Sequence, residues 1–400
     1  MLSKTSSASG HSHNKLVTSM KNSAFVLFAA FCCQGAEVKL PPPFATPSST
    51  NRPRVIPQPE GTQLHVPPGF TTELFAEGFE QPRYMTLGPS QEILLSDSKG
   101  GTVYILKPQR KKLIEKLDRP YGLAFWKDYL YVAETTSVKR YKYDAKQMTV
   151  GAGQEVVNMK DYGKGHWTRA VLFDRAGQKM YVGVGSSSNV DAGDPEMRAA
   201  INRFNPDGSG HEIFASGTRN PTAIHFYPGS DTLWASIQER DLLGDDLVPD
   251  YFTHIQQGGF YGWPYAYIGP NEDPRRKGER PDLVKKTIVP DVVLGAHVAV
   301  IDFEFYIGKM FPQKYQGGAF LAFHGSWNRS KRVGQSIGFI PFKNGKPSGP
   351  LEEFLYGWML GPDKQEVWGR PVGLLQMTDG SLLVSEDGNN KIYRISYKGK

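Results

Sequence analysis

Four segments carry residue types suited to chemistry, and each leads into or follows an apolar run: Gly163-Lys-Gly-His166-Trp167-Thr-Arg169, Ser216-Gly-Thr-Arg219-Asn220-Pro221, His324-Gly-Ser-Trp-Asn328-Arg329 and Trp368-Gly-Arg370-Pro371. Buried like charges repel unless something neutralises them, so arginines converging on one point imply an anionic ligand. Taken singly, each arginine reads as half of an ion pair on the surface or between blades. His166 suits general-base work because only histidine titrates near neutrality without perturbation, although beside two glycines it also reads as a solvated loop residue. His297, in Leu294-Gly-Ala-His-Val298, precedes an apolar strand and is placed to face the same point. His225 and His324 adjoin apolar strands and read as packed or hydrogen-bonded structural residues. The acidic run Gln238-Glu239-Arg240-Asp241-Leu-Leu-Gly244-Asp245-Asp246 offers carboxylates and carbonyls of the kind Ca²⁺ accepts, without the fixed spacing of a calcium loop. The aromatic run Gly258-Gly-Phe-Tyr-Gly-Trp-Pro-Tyr265 serves equally as a substrate wall or as packing.

The elements that must hold these residues repeat along the chain. Pro82–Gly88, Glu92–Asp97 and Thr102–Leu106 return as Pro120–Phe125, Tyr129–Glu134 and Val138–Tyr143, then as Arg169–Phe173, Lys179–Val184 and Ala200–Phe204. Asn220–Phe226 with Thr232–Ser236 begins a fourth set. A fifth is Val300–Phe305, Gly318–Phe323 and Ile337–Phe342, and a last is Pro371–Gln376, Leu382–Glu386 and Lys391–Tyr397. A period of about 40–50 residues with three or four strands per unit predicts an all-β fold, a six-bladed β-propeller. A multi-sheet sandwich is the competitor, but it leaves unexplained why apolar strands repeatedly end in Ser, Glu or Asp. The 43 glycines and 29 prolines among 400 residues fit the many turns such a fold needs. One propeller domain is expected over residues 62–400, its site lying where inner-strand ends meet the central channel.

Upstream, residues 37–61 hold seven prolines, Pro41, Pro42, Pro43, Pro47, Pro53, Pro57 and Pro59, and read as an extended linker. Residues 1–36 read as a leader. Met20-Lys-Asn-Ser precedes the apolar stretch Ala24–Cys33 and small residues follow, the layout of a secretory signal, with Met20 as a possible true start. Both cysteines, Cys32 and Cys33, fall inside it, which suits an exported, disulfide-free protein of a periplasm or secreted fluid. Lys4, Lys15 and Lys21 are its only charges, so the net charge without it falls from +7 to +4 and a nucleic-acid partner loses its main support. No apolar run reaches the roughly 18 residues of a transmembrane anchor. The sequence has no Cys-x-x-Cys, phosphate loop or Gly-x-Ser-x-Gly, which removes thiolate zinc, covalent haem, nucleotide phosphate and serine-elbow chemistries.

Thr218-Arg-Asn-Pro221, Glu239-Arg-Asp241 with Gly244-Asp-Asp-Leu-Val-Pro-Asp-Tyr251, Gly258–Pro264, His324–Arg329 and Gly369-Arg-Pro-Val372 together resemble the sorbosone dehydrogenase group. That group stands beside the soluble glucose and pyranose dehydrogenases that use pyrroloquinoline quinone (PQQ), and the resemblance runs from about Gly69 to Tyr397. It implies a six-bladed propeller with PQQ over the channel, held by Ca²⁺, and a sugar or sugar aldehyde as substrate. His166 then matches the base that takes the substrate hydroxyl proton as a hydride passes to the quinone, with Arg219 and Ca²⁺ stabilising the oxyanion. Arg219 and Asn220 match the pair near the quinone oxygen. The main-chain carbonyls of Glu239 and Arg240 match the metal ligands, where the glucose enzymes have Gly-Pro. Asn328, Arg329 and Arg370 match contacts to PQQ carboxylates, with His297 facing the same cofactor. Pro120-Tyr121 stands where the glucose enzymes carry a Gln-Asn pair, so the resemblance does not carry over their glucose specificity. Electrons must leave to a separate carrier, a cytochrome or quinone. Two other readings stay open: a metal-dependent hydrolase of the lactonase type, and a non-catalytic binding propeller.

Overall fold

A computed structural model describes residues 39–399, so the expected leader, with Met20, Cys32 and Cys33, lies outside the described residues. Six main sheets each lay four antiparallel strands side by side, and one of them gains a short fifth. Blade 1 comprises Pro82–Leu87, Ile93–Asp97, Thr102–Lys107 and Lys111–Ile114. Blade 2 comprises Leu123–Trp126, Tyr129–Glu134, Ser137–Asp144 and Thr149–Asn158. Blade 3 runs Arg169–Phe173, Met180–Val184, Ala200–Phe204 and Glu212–Ser216, with Gly259–Phe260 added in parallel. Blade 4 is Asn220–Phe226, Leu233–Gln238, Pro249–His254 and Val292–Ala296; blade 5 is Val300–Phe305, Ala319–Phe323, Ser336–Ile340 and Glu352–Leu355. Blade 6 takes Pro371–Gln376, Leu382–Glu386 and Lys391–Tyr397 from the C-terminal end of the chain and its outermost strand, Phe70–Glu77, from the N-terminal side. The first strands of the six blades contact one another in a closed ring, which makes the fold a six-bladed β-propeller.

Each second strand is sandwiched between neighbouring blades, which explains why Ile93–Asp97, Met180–Val184 and Leu382–Glu386 are buried throughout and, apart from a Ser-Asp or Ser-Glu end in two of them, apolar. The buried apolar residues fall into six clusters, one per blade interface, from Leu94, Val103 and Leu130 between blades 1 and 2 round to Ile93, Leu383 and Ile392 between blades 6 and 1. The acidic residues that recur at second-strand ends tie down the connections above them. Asp97 accepts the N–H groups of Glu80 and Gln81 at 2.9 and 2.6 Å, Glu134 accepts that of Asp118 at 2.6 Å, and Glu386 accepts those of Arg370, Gly388 and Asn389. Charge-assisted bonds of this kind are among the stronger ones in proteins, so one face of the ring is rigidly tied. On that face every inner strand begins and every second strand ends.

The Pro-rich segment is extended apart from a turn at Pro42–Ala45, and it is docked. Phe44 N–H donates to Leu243 O at 2.8 Å, Asn328 Nδ2 to Ser49 O at 2.6 Å, and Asn51 N–H to Trp327 O at 2.7 Å. Arg54–Val55 then pairs in parallel with Glu366–Val367. The segment therefore straps blades 4, 5 and 6 together across the tied face. Among the described residues no helix is long and apolar enough to cross a membrane.

Candidate active site at the channel mouth

His166 stands in the connection from blade 2 to blade 3, just before the inner strand Arg169–Phe173. Its Nδ1 donates to the Ser186 carbonyl at 2.8 Å, with Ser186 Oγ 3.1 Å away, so the neutral ring presents Nε2 as its basic nitrogen. Burial, and then the Arg219 charge, push its pKa down to about 3. Glycines let this packing close. A Cβ on Gly185 would lie 2.3 Å from Asn220 Oδ1 and 2.6 Å from His166 Cβ, so His166 and Asn220 meet across that glycine.

Arg219 and Asn220 begin the inner strand of blade 4. Arg219 is buried and wrapped: Nη1 donates to Glu239 O at 2.6 Å, Nη2 to Asn189 Oδ1 at 3.0 Å, and Nη2 lies 3.3 Å from Asp241 Oδ2. Asn220 Nδ2 donates to Gln238 Oε1 at 2.9 Å, whereas its Oδ1 is buried with no partner among the described residues. A buried acceptor left unmatched is costly, which marks a place where a donor or a cation belongs.

The side chains of Glu239 and Arg240 turn away from the mouth. They pair with each other at 3.0 Å, and Arg240 reaches Pro264 O and Asp273 in the insertion that follows blade 4's third strand. Glu239 still lines the mouth, where its carbonyl receives Arg219, and the Arg240 carbonyl accepts no hydrogen bond among the described residues. His297 adopts φ +61° and its Nε2 donates to Gly244 O at 3.0 Å, with Nδ1 3.5 Å from Asp241. His166, Arg219, Glu239, Asp241 and His297 thus line one cleft, joined there by Asp250 and Trp327.

The other expected cofactor contacts differ in how free they are. Asn328 is spent on Leu242 N–H and Ser49 O, whereas Arg329 uses only Nη1, on Asp245 O and the Asp246 carboxylate at 2.8 Å, and its Nη2 has no partner among the described residues. Arg370 uses only Nε, on His324 O at 3.2 Å, which leaves both terminal NH₂ groups without a partner among the described residues. Sequence reasoning missed Arg83 and Asp387. Arg83 pairs closely with Asp387, which also accepts His324 Nε2 at 2.7 Å, so the three form a buried cluster beside Arg370. The repeated acidic strand ends were the signal available for Asp387. Arg83 carried none.

The strap reaches this site directly, because the loops it grips, 242–246 and 327–332, hold Asn328, Arg329 and the His297 partner Gly244. Deleting the residues before Arg52 is expected to speed amide exchange in these two loops by at least about tenfold, the effect of roughly 1.4 kcal/mol of local stability, while blades 1 to 3 keep their rates. Unchanged exchange in both loops would show that the segment only rests on them.

The six-bladed propeller thus gathers arginines, an unprotonated histidine and an orphaned amide oxygen on one face of the ring. The TrAA12-like family model matches residues 64–247 and 279–398, and the chain belongs to that family. The interval between the two matches includes Gly258–Pro264 and the insertion that holds Arg240. An uncharacterized protein of Borreliella burgdorferi is 31% identical over 355 residues, covering 84% of this chain and 91% of that protein. The pyrroloquinoline quinone-dependent pyranose dehydrogenase of Coprinopsis cinerea is 25% identical over 194 residues, 44% of this chain but only 23% of that enzyme. The holo form of its PQQ domain aligns with TM-score 0.72 at 19% identity, over 85% of this chain and 98% of that one. The calcium structure of a Trichoderma reesei carbohydrate-active enzyme of family AA12 aligns with TM-score 0.73 at 21% identity, again over 85% of this chain and 98% of that one.

Proposed function

We propose that this chain is an exported PQQ- and Ca²⁺-dependent dehydrogenase of a sugar or sugar aldehyde, with His166 as general base. The observation that carries the reading is His166 itself, held neutral with Nε2 as its basic nitrogen and packed against an unmatched Asn220 oxygen. The donor set fits both groups. The free NH₂ groups of Arg370 and the open Nη2 of Arg329, beside the Arg219 charge, would hold a polycarboxylate, and the Arg240 carbonyl with Asn220 Oδ1 would offer oxygens to a hard cation. When bound, PQQ supplies a two-electron acceptor at an ortho-quinone carbonyl, which Ca²⁺ polarises.

The chain's own residues do the rest. Nε2 of His166 takes the proton of the sugar hydroxyl, and the Ser186 carbonyl keeps the other ring nitrogen protonated and the ring in place. Arg219 keeps a fixed positive charge beside the base, where oxyanion character develops in the substrate. Electrons leave to a separate carrier.

The test is reconstitution. Purified protein mixed with PQQ and Ca²⁺ is expected to take up the cofactor's absorbance and to reduce an artificial acceptor when aldoses or sugar aldehydes are added, with both effects abolished by a calcium chelator. Sugar-independent reduction, or no uptake of PQQ, would overturn the reading.

A further inference from the structure

We propose that the preferred sugar carries a carboxylate, as a hexuronic acid does, and that Arg119 binds it; the inference rests on the dehydrogenase reading above. The cations suited to the cofactor occupy one arc of the ring, Arg219 on blade 4, Arg329 on blade 5 and Arg370 on blade 6. Arg83 on blade 1 is neutralised by Asp387. Arg119 lies on the opposite arc, in the connection from blade 1 to blade 2, and its side chain has neither a hydrogen bond nor an ion pair among the described residues. Its guanidinium carbon sits 3.9 Å from the centre of the Trp167 ring, and Trp167 directly follows His166. The adjacent Asp118 does not take up the charge in a bond, since its carboxylate accepts Thr136 Oγ1 at 2.7 Å.

Trp167 is therefore flanked by two guanidiniums, with Arg83 5.1 Å from the same ring, and only Arg83 is bonded to a carboxylate. Stacking on an aromatic face orients the guanidinium while leaving its N–H edge open, the arrangement that grips a carboxylate with two parallel bonds. Arg119 is exposed, and partial burial followed by the Arg83 charge lowers its pKa while Asp118 raises it, so an anion placed there would offset the Arg83 repulsion that Asp118 leaves. No neutral hydrogen-bonding pair competes for the substrate at Pro120-Tyr121, because the Tyr121 hydroxyl is turned inward onto Ile301 O at 3.2 Å and the residue is buried. In a hexuronate the reacting C1 and the C6 carboxylate lie on either side of the ring oxygen, so one pyranose can present C1–OH to His166 and its carboxylate to Arg119. The contact adds binding and alters no bond-making step.

The experiment compares galacturonate with galactose on the PQQ- and Ca²⁺-loaded protein at low ionic strength, for wild type, Arg119→Gln and Arg119→Lys. It also measures galacturonate binding to the same proteins by calorimetry. The expected result is a kcat/KM for galacturonate at least about tenfold above that for galactose. Arg119→Gln should cut the galacturonate value by roughly 10- to 100-fold, mainly through KM, as loss of a charge-assisted pair does, with galactose within about twofold and Arg119→Lys in between. Equal use of the two sugars, or an equal loss for both in Arg119→Gln, overturns this proposal and leaves the dehydrogenase reading standing. Arg119-dependent binding of galacturonate without oxidation of either sugar has the opposite meaning, keeping the anion site and removing the dehydrogenase.

Discussion

In the PQQ- and Ca²⁺-loaded protein, His166→Ala is expected to lower kcat by roughly 10²- to 10⁴-fold at neutral pH, the range for loss of a positioned general base, while the affinity for PQQ changes by less than about threefold. The two effects separate because His166 contributes no cation or carbonyl to the groups suited to the cofactor. Its ring is anchored through Nδ1 on Ser186 O, and its removal leaves Arg219 with its bonds to Glu239 O and Asn189 intact. The pH dependence follows from the depressed pKa. A histidine that protonated near 6.5 would lose base activity below that pH, whereas one held down at about 3 by burial and Arg219 stays neutral, so no acid limb should appear between pH 5 and 7. In the unloaded protein the His166 ring signals should not titrate between pH 5 and 8 by NMR. Unchanged kcat in His166→Ala, or cofactor loss in step with activity loss, removes His166 from the role.

The sequence singled out this histidine because it stands beside two glycines shortly before an inner strand, and the Arg219-Asn220 pair because Asn220 opens one. The blades were legible for a related reason: second strands covered on both faces must be apolar almost throughout, and that requirement repeats with the ring. What stayed hidden depends on backbone groups or on great sequence separation. Ser49, Asn51 and Ile56 dock the strap through their carbonyls, and a carbonyl is the same in every residue, so a proline-rich composition reads as a free linker. The closing strand Phe70–Glu77 meets its partner Lys391–Tyr397 from the other end of the chain, and Arg83 meets Asp387 across 304 positions. No local pattern joins such pairs. The side chains of Asn328 and Arg329 occupy the expected loop, but their attachment to the strap and to Asp245-Asp246 follows from packing that the motif does not encode.

The same distinction governs Arg198, whose expected loss is the second large effect. Arg169 and Arg198 are both buried, and neither forms an ion pair with a carboxylate among the described residues. Their guanidiniums are spent on main-chain carbonyls of the segment that carries His166. Arg169 donates to His166 O at 2.8 Å, Thr168 O at 2.9 Å and Tyr162 O at 2.6 Å, and Arg198 to Gly185 O at 2.8 Å, His166 O at 3.3 Å, Tyr162 O and Lys164 O. Burial and mutual repulsion bring the Arg169 pKa down to about 9, so the pair carries real electrostatic cost, offset by carbonyl dipoles that converge on it. Arg198→Met keeps much of the volume and removes both the fork and the charge. It should lower stability by about 2 kcal/mol, since several carbonyls lose a charged donor at once, and lower kcat by roughly 10- to 100-fold through displacement of a base that must sit within hydrogen-bond reach of the substrate hydroxyl. Because Arg198 also holds the His166 pKa down, its removal should raise that pKa, a change that loosened packing alone does not require. Arg198→Lys supplies the discriminating comparison, since it restores the charge without the planar fork. It should return the His166 titration toward the wild-type value while recovering only part of kcat. Full recovery of kcat by lysine would show that charge, and not the grip on Tyr162, Lys164 and Gly185, is what this arginine contributes.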